Sequence, residues 1–260
     1  MKNFFLLICL AITSSQFVTG QDAGQFQKKW MVQGGDTMPY RLLLPKGYDG
    51  IRKFPLLVFL HGSGERGRDN EKQLVHGSKL FLREDVRTNY PAIIVFPQCS
   101  NNDYWSNVMH LQDESNKHVF YFPEDGRATE AMDMVQELVK YLIVSYPVQK
   151  NRVYAGGLSM GGMGTFELVR RMPKTFAAAF AICGGANPST AKEIKDVKWW
   201  IFHGLKDDVV PPIHSRLMEA ALKKKGANIK ATYYPNANHN SWDSTFAEPG
   251  LLPWLFAQSR

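Results

Sequence analysis

The chain has 260 residues, of which 44% are hydrophobic and 21% charged, and its formal net charge is +7. A chain of this length fits one large domain that buries a substantial core, and no internal repeat or low-complexity linker divides it. The basic residues are scattered, apart from a run of three lysines at 223–225 at the end of a predicted helix, where cations complement the helix dipole. The sequence has neither a basic stripe nor a nucleic-acid reading motif, which argues against nucleic acid as a partner.

The first 20 residues have the layout of a secretory signal peptide. Lys2 precedes an apolar run at residues 4–12, and Val18-Thr19-Gly20 supplies the short cleavage region before Gln21. The apolar run is too short to span a bilayer. We therefore predict an exported protein, periplasmic or secreted, with no membrane attachment after signal cleavage.

After the signal, residues 21–35 are polar and predict a loose lead-in, and residues 36–260 predict a single domain. Apolar segments rich in β-branched and aromatic residues predict strands at 40–44, 55–60, 92–96, 153–156, 177–182, 199–202 and 230–234. Helical patterns lie between these segments, the clearest at residues 127–144. This alternation predicts an α/β fold in which a mostly parallel central sheet carries helices on both faces.

Residues 100–126 form a long polar stretch without a clear period, and aromatic residues are interspersed in it. Long irregular segments in a compact domain are often functional, so we expect an excursion over the candidate site. Its aromatic residues can stack on an aromatic or sugar ring of a ligand, or can pack within the protein. They are Tyr104, Trp105, Tyr121 and Phe122.

The segment from Gly157 to Gly161 reads Gly-Leu-Ser-Met-Gly and lies between a predicted strand and an amphipathic stretch at residues 163–172. A serine at such a junction sits on a sharp, strained turn, where flanking residues without a Cβ relieve the crowding between strand and helix. The following helix directs its free N–H groups toward an oxyanion formed there. This strand, Gly-x-Ser-x-Gly and helix order is typical of a nucleophile elbow, and it makes Ser159 the candidate nucleophile.

Two later loops supply a carboxylate and an imidazole, each directly after a predicted strand. Asp207 and Asp208 follow the strand that ends near His203, and His239 follows the last strand. A serine hydroxyl needs an imidazole to take its proton, and the imidazole needs a carboxylate to hold its tautomer. The order Ser159, Asp207, His239 is the one expected for this arrangement. Asp207 is preferred to Asp208 because it stands first after the strand and its turn.

The glycine-rich turn after residues 55–60 predicts an oxyanion hole, which needs backbone N–H groups beside the serine. We assign the two donors to the N–H groups of Ser63 and Met160. The other histidines lack the placement of His239 after the last strand. His61 and His203 each end a strand in a His-Gly pair, where packing of the turn is the expected role.

Five motifs in this order resemble a known group of proteins. They are HGSGERG (61–67), PQCSNNDYW (97–105), GGLSMGG (156–162), HGLKDDVVP (203–211) and NHNSW (238–242). Over residues 36–258 the chain resembles the secreted serine esterases grouped with dienelactone-hydrolase-like, polyhydroxybutyrate-depolymerase-like and feruloyl-esterase-like proteins, some of which are called predicted peptidases. The resemblance implies the α/β-hydrolase fold, with residues 36–260 as its catalytic domain.

The resemblance also implies roles for single residues. The family's nucleophile, acid and base fall on Ser159, Asp207 and His239, and its oxyanion loop falls on Gly62 and Ser63. It places three further side chains near the acyl or sugar pocket, namely Gln98, Trp105 and Trp242. Dienelactone hydrolases proper use a cysteine as the nucleophile, whereas the serine of this chain favours ordinary ester hydrolysis.

After signal cleavage only Cys99 and Cys183 remain, and both follow strands that lie about three positions apart in this fold. Three strand spacings amount to roughly 14 Å, which is beyond the reach of a disulfide. We therefore predict two free thiols. No motif for a metal site is present, so we expect neither a metal nor another cofactor.

These observations predict an exported serine carboxylic-ester hydrolase that works through an acyl-enzyme. Its expected substrates are small-molecule or polysaccharide-linked esters, such as feruloyl or acetyl esters of plant-type polysaccharides. Alternatives are a serine peptidase of the same fold, a general short-chain carboxylesterase or acyltransferase, and a catalytically inactive binding module. The sequence leaves the oligomeric state open.

Overall fold

The computed structural model describes residues 23–112 and 118–260, so the predicted signal peptide lies outside the described residues. In the described part, eight strands form one sheet in the order β1-β2-β4-β3-β7-β8-β9-β10, and β5 and β6 form a separate pair. The strands are β1 (Gln27–Gln33), β2 (Asp36–Leu43), β3 (Phe54–Leu60), β4 (Ile93–Pro97), β5 (Met109–Gln112), β6 (His118–Tyr121), β7 (Val148–Leu158), β8 (Ala178–Ile182), β9 (Lys198–Gly204) and β10 (Ile229–Tyr234).

The sheet is mostly parallel. Strands β4, β3, β7, β8, β9 and β10 run parallel to one another, whereas β2 is antiparallel to both β1 and β4. Every residue of β3, β4 and β8 is buried, as expected for central strands covered on both faces. All seven predicted strand segments are present, which confirms the predicted α/β architecture.

Helices cover both faces of this sheet. They are α1 (Ser78–Leu82), α2 (Glu84–Asn89), α3 (Glu130–Ser145), α4 (Met160–Arg171), α5 (Ala191–Ile194), α6 (Ile213–Lys224), α7 (Trp242–Phe246) and α8 (Leu251–Ala257). Alternate residues of β3 belong to different cores: Leu56 and Val58 pack with α3, α4 and α6, whereas Leu57 and Phe59 pack with α1 and α8. The two cores hold the sheet rigid from both sides.

The clearest predicted helix, at residues 127–144, corresponds to α3. The helix begins after Thr129, whose hydroxyl accepts a hydrogen bond from the Met132 N–H at 3.1 Å. A threonine in this position satisfies one of the free N–H groups of the first turn and sets the boundary. The prediction was therefore correct in type and about three residues early at its start.

The loose lead-in predicted at residues 21–35 is wrong at residues 27–33, and its first two residues lie outside the described part of the chain. Gln27–Gln33 forms β1 and pairs with β2 from Gln27 opposite Leu42 to Gln33 opposite Asp36. Gly34 and Gly35, both with positive φ, make the turn between the two strands. Because β1 is an exposed edge strand, it lacks the apolar alternation by which buried strands are recognised.

The predicted excursion at residues 100–126 contains the β5–β6 hairpin. Phe120 faces inward and packs with Met163 of α4 and with Val210 of the loop after β9. Four apolar side chains of the hairpin remain substantially exposed, namely Met109, Leu111, Val119 and Tyr121. The hairpin thus lies beside the C-terminal ends of the central strands, as the sequence predicts for this excursion.

Both Cys99 and Cys183 are buried free thiols, which confirms the prediction of no disulfide between them. Cys99 follows β4 and Cys183 follows β8, and β3 and β7 lie between these strands in the sheet. No helix among the described residues is long and apolar enough to cross a membrane.

Candidate active site

Ser159, Asp207 and His239 meet at one edge of the sheet. Each follows the C-terminal end of a strand, β7, β9 or β10 respectively. Because these strands are parallel, their carboxyl ends and the loops after them lie at the same edge. Loops that are far apart in the sequence therefore place their side chains within hydrogen-bond distance.

Ser159 occupies the turn between β7 and α4 with φ +54° and ψ −119°. This conformation is strained for a residue with a side chain. A Cβ at Gly157 would overlap the Gly161 carbonyl, and a Cβ at Gly161 would overlap the Leu60 carbonyl. Both glycines are therefore required by close backbone approach, which is the reason the sequence pattern was informative.

The three side chains form a chain of hydrogen bonds. Ser159 Oγ lies 2.9 Å from His239 Nε2, and His239 Nδ1 lies 2.8 Å from Asp207 Oδ2. The Asp207 side chain is inaccessible to solvent, whereas that of His239 is 19% exposed. Asp208, the competing carboxylate, is exposed on the outside of the same loop. This arrangement allows the imidazole to take the proton of the Ser159 hydroxyl.

Four hydrogen-bond donors surround the Asp207 carboxylate. Oδ1 accepts from the N–H groups of Val209 at 3.0 Å and Val210 at 2.9 Å. Oδ2 contacts His239 Nδ1 at 2.8 Å and His203 Nε2 at 3.1 Å. Burial raises the pKa of this carboxyl, but the hydrogen bonds from His203 and His239, the His239 charge and the Val210 N–H outweigh it and hold the pKa well below its usual range.

The turn after β3 lies against Ser159, because a Cβ placed on Gly62 would be 3.7 Å from the Ser159 Cβ. The Gly62 carbonyl lies 2.6 Å from His61 Nδ1, so the carbonyl of the Gly62–Ser63 peptide points toward the buried His61 ring. In a trans peptide the N–H points the opposite way, so the Ser63 N–H is directed away from His61. Neither the Ser63 nor the Met160 N–H donates a hydrogen bond within the described part of the chain.

His61 supports this turn as a neutral ring. Its Nε2 accepts a hydrogen bond from the Cys99 N–H at 3.0 Å, so the ring proton lies on Nδ1, which donates to Gly62. Burial lowers the pKa of His61 to about 4. The turn-packing role predicted from the His-Gly pair is therefore a specific one: this ring orients a peptide beside Ser159.

Gln98 and Trp105, expected near the acyl or sugar pocket, are buried inside the protein. Gln98 accepts from the Asn70 N–H at 2.7 Å and donates to Asp69 and the Glu65 carbonyl. Trp105 is 0% exposed and donates from Nε1 to the His61 carbonyl at 3.0 Å. The expectation of direct substrate contact is therefore corrected: both side chains brace the turn after β3, because their polar atoms are already paired within the protein.

Trp242 takes the position expected for it beside the histidine. Its ring meets the His239 ring edge to face with centroids 5.3 Å apart, and the His76 ring lies 5.0 Å away. The Trp242 side chain is partly exposed beside the His239 ring.

The sequence did not predict two features of this edge. His203, interpreted as turn packing, contacts Asp207, and its only signal was its place four residues before the aspartate. The second feature is a cluster of rings beside Met163 and Val210, with neighbouring centroids 5.0 to 6.4 Å apart. Its members are Tyr104, His110, Phe120, Phe122 and His214.

One group of metal-ligating atoms lies at the site. Cys183, Asp207 and His239 bring their ligand atoms within 4.8 Å of one another. Two of these atoms, Asp207 Oδ2 and His239 Nδ1, are already hydrogen-bonded to each other. Burial raises the pKa of the Cys183 thiol, so this group keeps its proton. The cluster is accounted for by these contacts, and we assign no metal to it.

The mostly parallel eight-stranded sheet and the serine on a strained strand-to-helix turn define an α/β-hydrolase. Residues 51–248 match the family described as phospholipase/carboxylesterase. The chain belongs to this family, and its class of enzyme is that of the carboxylic ester hydrolases.

Curated relatives agree with this class. Lysophospholipase-like protein 1 of Mus musculus is 24% identical over 205 residues, which cover 70% of this chain and 79% of that protein. A probable feruloyl esterase C of Aspergillus niger is 22% identical over 251 residues, which cover 94% of this chain and 84% of that protein.

Solved structures share the fold. A thermostable esterase superposes with a TM-score of 0.80 at 33% identity, covering 91% of this chain and 64% of the other. Ferulic acid esterases and peptidases are also among the structural matches, at identities that show the fold alone.

Proposed function

We propose that this protein is an exported serine esterase in which Ser159 is the nucleophile, His239 the general base and Asp207 the orienting carboxylate. The observation that carries the proposal is the hydrogen-bond chain from Ser159 Oγ through His239 to Asp207, with distances of 2.9 Å and 2.8 Å. An imidazole in this position removes the hydroxyl proton, and the carboxylate keeps the other ring nitrogen protonated.

The reaction has two halves. Ser159 Oγ attacks the ester carbonyl while its proton passes to His239 Nε2, and the Ser63 and Met160 N–H groups stabilise the oxyanion. The alcohol leaves with the proton from His239, and an acyl group remains on Ser159. A water molecule then attacks this acyl-enzyme, giving its proton to His239, and the carboxylic acid is released as Ser159 regains its proton.

We further propose feruloyl or acetyl esters of plant-type polysaccharides as substrates. The ring cluster beside Met163 and Val210 offers apolar and aromatic surface next to the site, and the partly exposed Trp242 offers a second stacking surface. The Aspergillus niger relative described as a probable feruloyl esterase supports the same substrate class. The layout of residues 1–20 supports export, which would bring the enzyme to substrates outside the cytoplasm.

The substrate assignment is tested with the purified protein starting at Gln21. We expect higher kcat/KM values for methyl ferulate or acetylated xylan than for p-nitrophenyl butyrate or a peptide anilide, and loss of all these activities in Ser159→Ala. Faster cleavage of the anilide would favour the peptidase alternative. Activity on p-nitrophenyl esters alone would favour a general carboxylesterase, and acyl transfer to an added alcohol would favour an acyltransferase.

A further inference from the structure

His203 is a buried histidine that the reaction above does not use. It is the next-to-last residue of β9, and its side chain has no accessible surface. The ring contacts the loop that carries Asp207 and the helix α6, and its partner on α6, Ser215, donates to the Gly184 carbonyl after β8. Unpaired polar atoms are costly when they are buried, and both nitrogens of this ring have partners.

The partners of the ring place a proton on Nε2. Nε2 lies 2.8 Å from the Val210 carbonyl, which can only accept, so this nitrogen carries a proton. The same N–H is 3.1 Å from Asp207 Oδ2 and is shared between the two oxygens. On the other side, Nδ1 lies 2.7 Å from the Ser215 hydroxyl, which donates to the Gly184 carbonyl at 2.9 Å.

The Asp207 oxygen that His203 contacts is also the oxygen that faces His239. With the Val209 and Val210 amides on Oδ1 and the two imidazoles on Oδ2, four donors occupy the carboxylate. Rotation of the carboxylate about its last bond would break contacts on both oxygens. The carboxylate is therefore held in one orientation, and its Oδ2 interacts with both imidazole rings.

We propose that His203 is a positioning residue of this enzyme, which holds Oδ2 of Asp207 against His239 and takes part of the carboxylate's charge. The proposal rests on the proposed function, in which Asp207 is the orienting carboxylate. His203 acts through Asp207 alone, since its buried ring cannot reach a substrate at Ser159.

Removing the His203 donor has a defined electrostatic consequence. The titratable groups that face this region are Asp207 on the loop after β9, His239 after β10, Cys183 after β8 and His214 on α6. When His203 is lost, His239 is the only side-chain donor left on Oδ2. The full carboxylate charge then favours the protonated form of His239, which cannot accept the Ser159 proton. The fall of kcat toward low pH, the acid limb of the pH profile, therefore moves to higher pH.

The test compares His203→Leu with His203→Gln, whose amide retains an N–H donor. With methyl ferulate as substrate, we expect kcat of His203→Leu to fall about 10- to 100-fold, by analogy with the loss of an outer hydrogen-bond partner of a metal ligand. KM should change less than kcat, because His203 does not touch substrate. The acid limb should move upward in His203→Leu and return toward the wild-type position in His203→Gln.

Two further variants separate this role from a structural one. Met218→Ala removes a buried side chain from α6 away from the site, and it should lower stability without moving the acid limb. In an Asp207→Asn background, adding His203→Leu or His203→Gln should change kcat little, because His203 acts through the carboxylate. If His203→Leu does not fold, His203→Met, which also lacks an N–H donor, takes its place in both backgrounds.

Unchanged kcat and an unmoved acid limb in a folded His203→Leu variant would overturn the inference, and so would equal losses in the Leu and Gln variants. The proposed function fails in a different way: Asp207→Asn itself would then retain wild-type activity. A loss in Asp207→Asn without any loss in His203→Leu rejects the role of His203 and leaves the role of Asp207 intact.

Discussion

Four hydrogen-bond donors hold the carboxylate of Asp207 in place. It is removed from solvent, yet its two oxygens contact two backbone amides and two imidazoles. These donors stabilise the ionised form where burial opposes it, and they hold the pKa of the carboxyl well below its usual range. Asp208, the next residue, is exposed and has no such environment.

Because their environments differ, substitutions of Asp207 and Asp208 should affect activity differently. Asp207→Asn should lower kcat on the order of 10⁴-fold, because the amide no longer holds the required tautomer of His239. Asp208→Asn, the matched control one position away, should change kcat little. The measurement is kcat on one ester substrate, with the melting temperature of each variant recorded. A larger loss in Asp208→Asn would show that the acid is assigned to the wrong residue.

The sequence was sufficient to predict which residues meet at the site, and insufficient to predict what supports them. Ser159, Asp207 and His239 are recognisable because each directly follows a strand, and parallel strands end at one edge. Trp105 lies in the stretch without a period and Gln98 directly after β4, so their burial depends on contacts that only the folded chain reveals. His203 shows the same limit, since its contact with Asp207 depends on the path of the loop between them.

At the scale of elements, the turn between β3 and α1 is held from beneath by a neutral imidazole. His61 donates to the Gly62 carbonyl and accepts from the Cys99 N–H, and it thereby joins the ends of β3 and β4. Trp105 donates to the His61 carbonyl from the excursion that follows β4. The turn after β3 is therefore positioned by groups from three segments.

This environment links stability to pH. The folded chain lowers the pKa of His61 to about 4, whereas in the unfolded chain it is about 6.5. Between these values the unfolded state binds a proton that the folded state does not, so stability falls as pH decreases from about 6.5 to 4. The effect amounts to ~3 kcal/mol for this residue.

We therefore expect His61→Gln to be less stable than the wild type at pH 7, yet to lose less stability between pH 7 and pH 4.5. Urea unfolding at the two pH values measures both differences. Equal losses in the two proteins would mean that His61 accepts a proton in the folded state, contrary to its burial.

The elements that the sequence missed have a common physical cause. Strand β1 lies at the sheet edge, where both faces contact solvent, and its sequence carries no apolar alternation. The β5–β6 pair is a two-stranded unit outside the main sheet, whose outer side chains are apolar although exposed. Hydrophobic patterns report burial, so they identify the central strands and helix α3 well and these peripheral strands poorly.

In the whole molecule, the hydrophobic cores and the candidate site occupy different parts of the sheet. The two hydrophobic cores fix the strands on both faces, and the candidate residues stand on the loops at one edge. The β5–β6 hairpin lies at this edge through Phe120, which packs with Met163 four residues after the serine. In this layout, packed strands on both sides hold the loops that carry the hydrogen-bond chain.

The most direct test of the central claim is covalent labelling of the nucleophile. The wild-type protein should react with a fluorophosphonate at a single site, and peptide mass spectrometry should locate the adduct on Ser159. His239→Ala should be labelled far more slowly, because no base activates the hydroxyl. Ser159→Ala should not be labelled at all. An adduct that persists in folded Ser159→Ala, or that maps to another serine in the wild type, would contradict the assignment of Ser159 as the nucleophile.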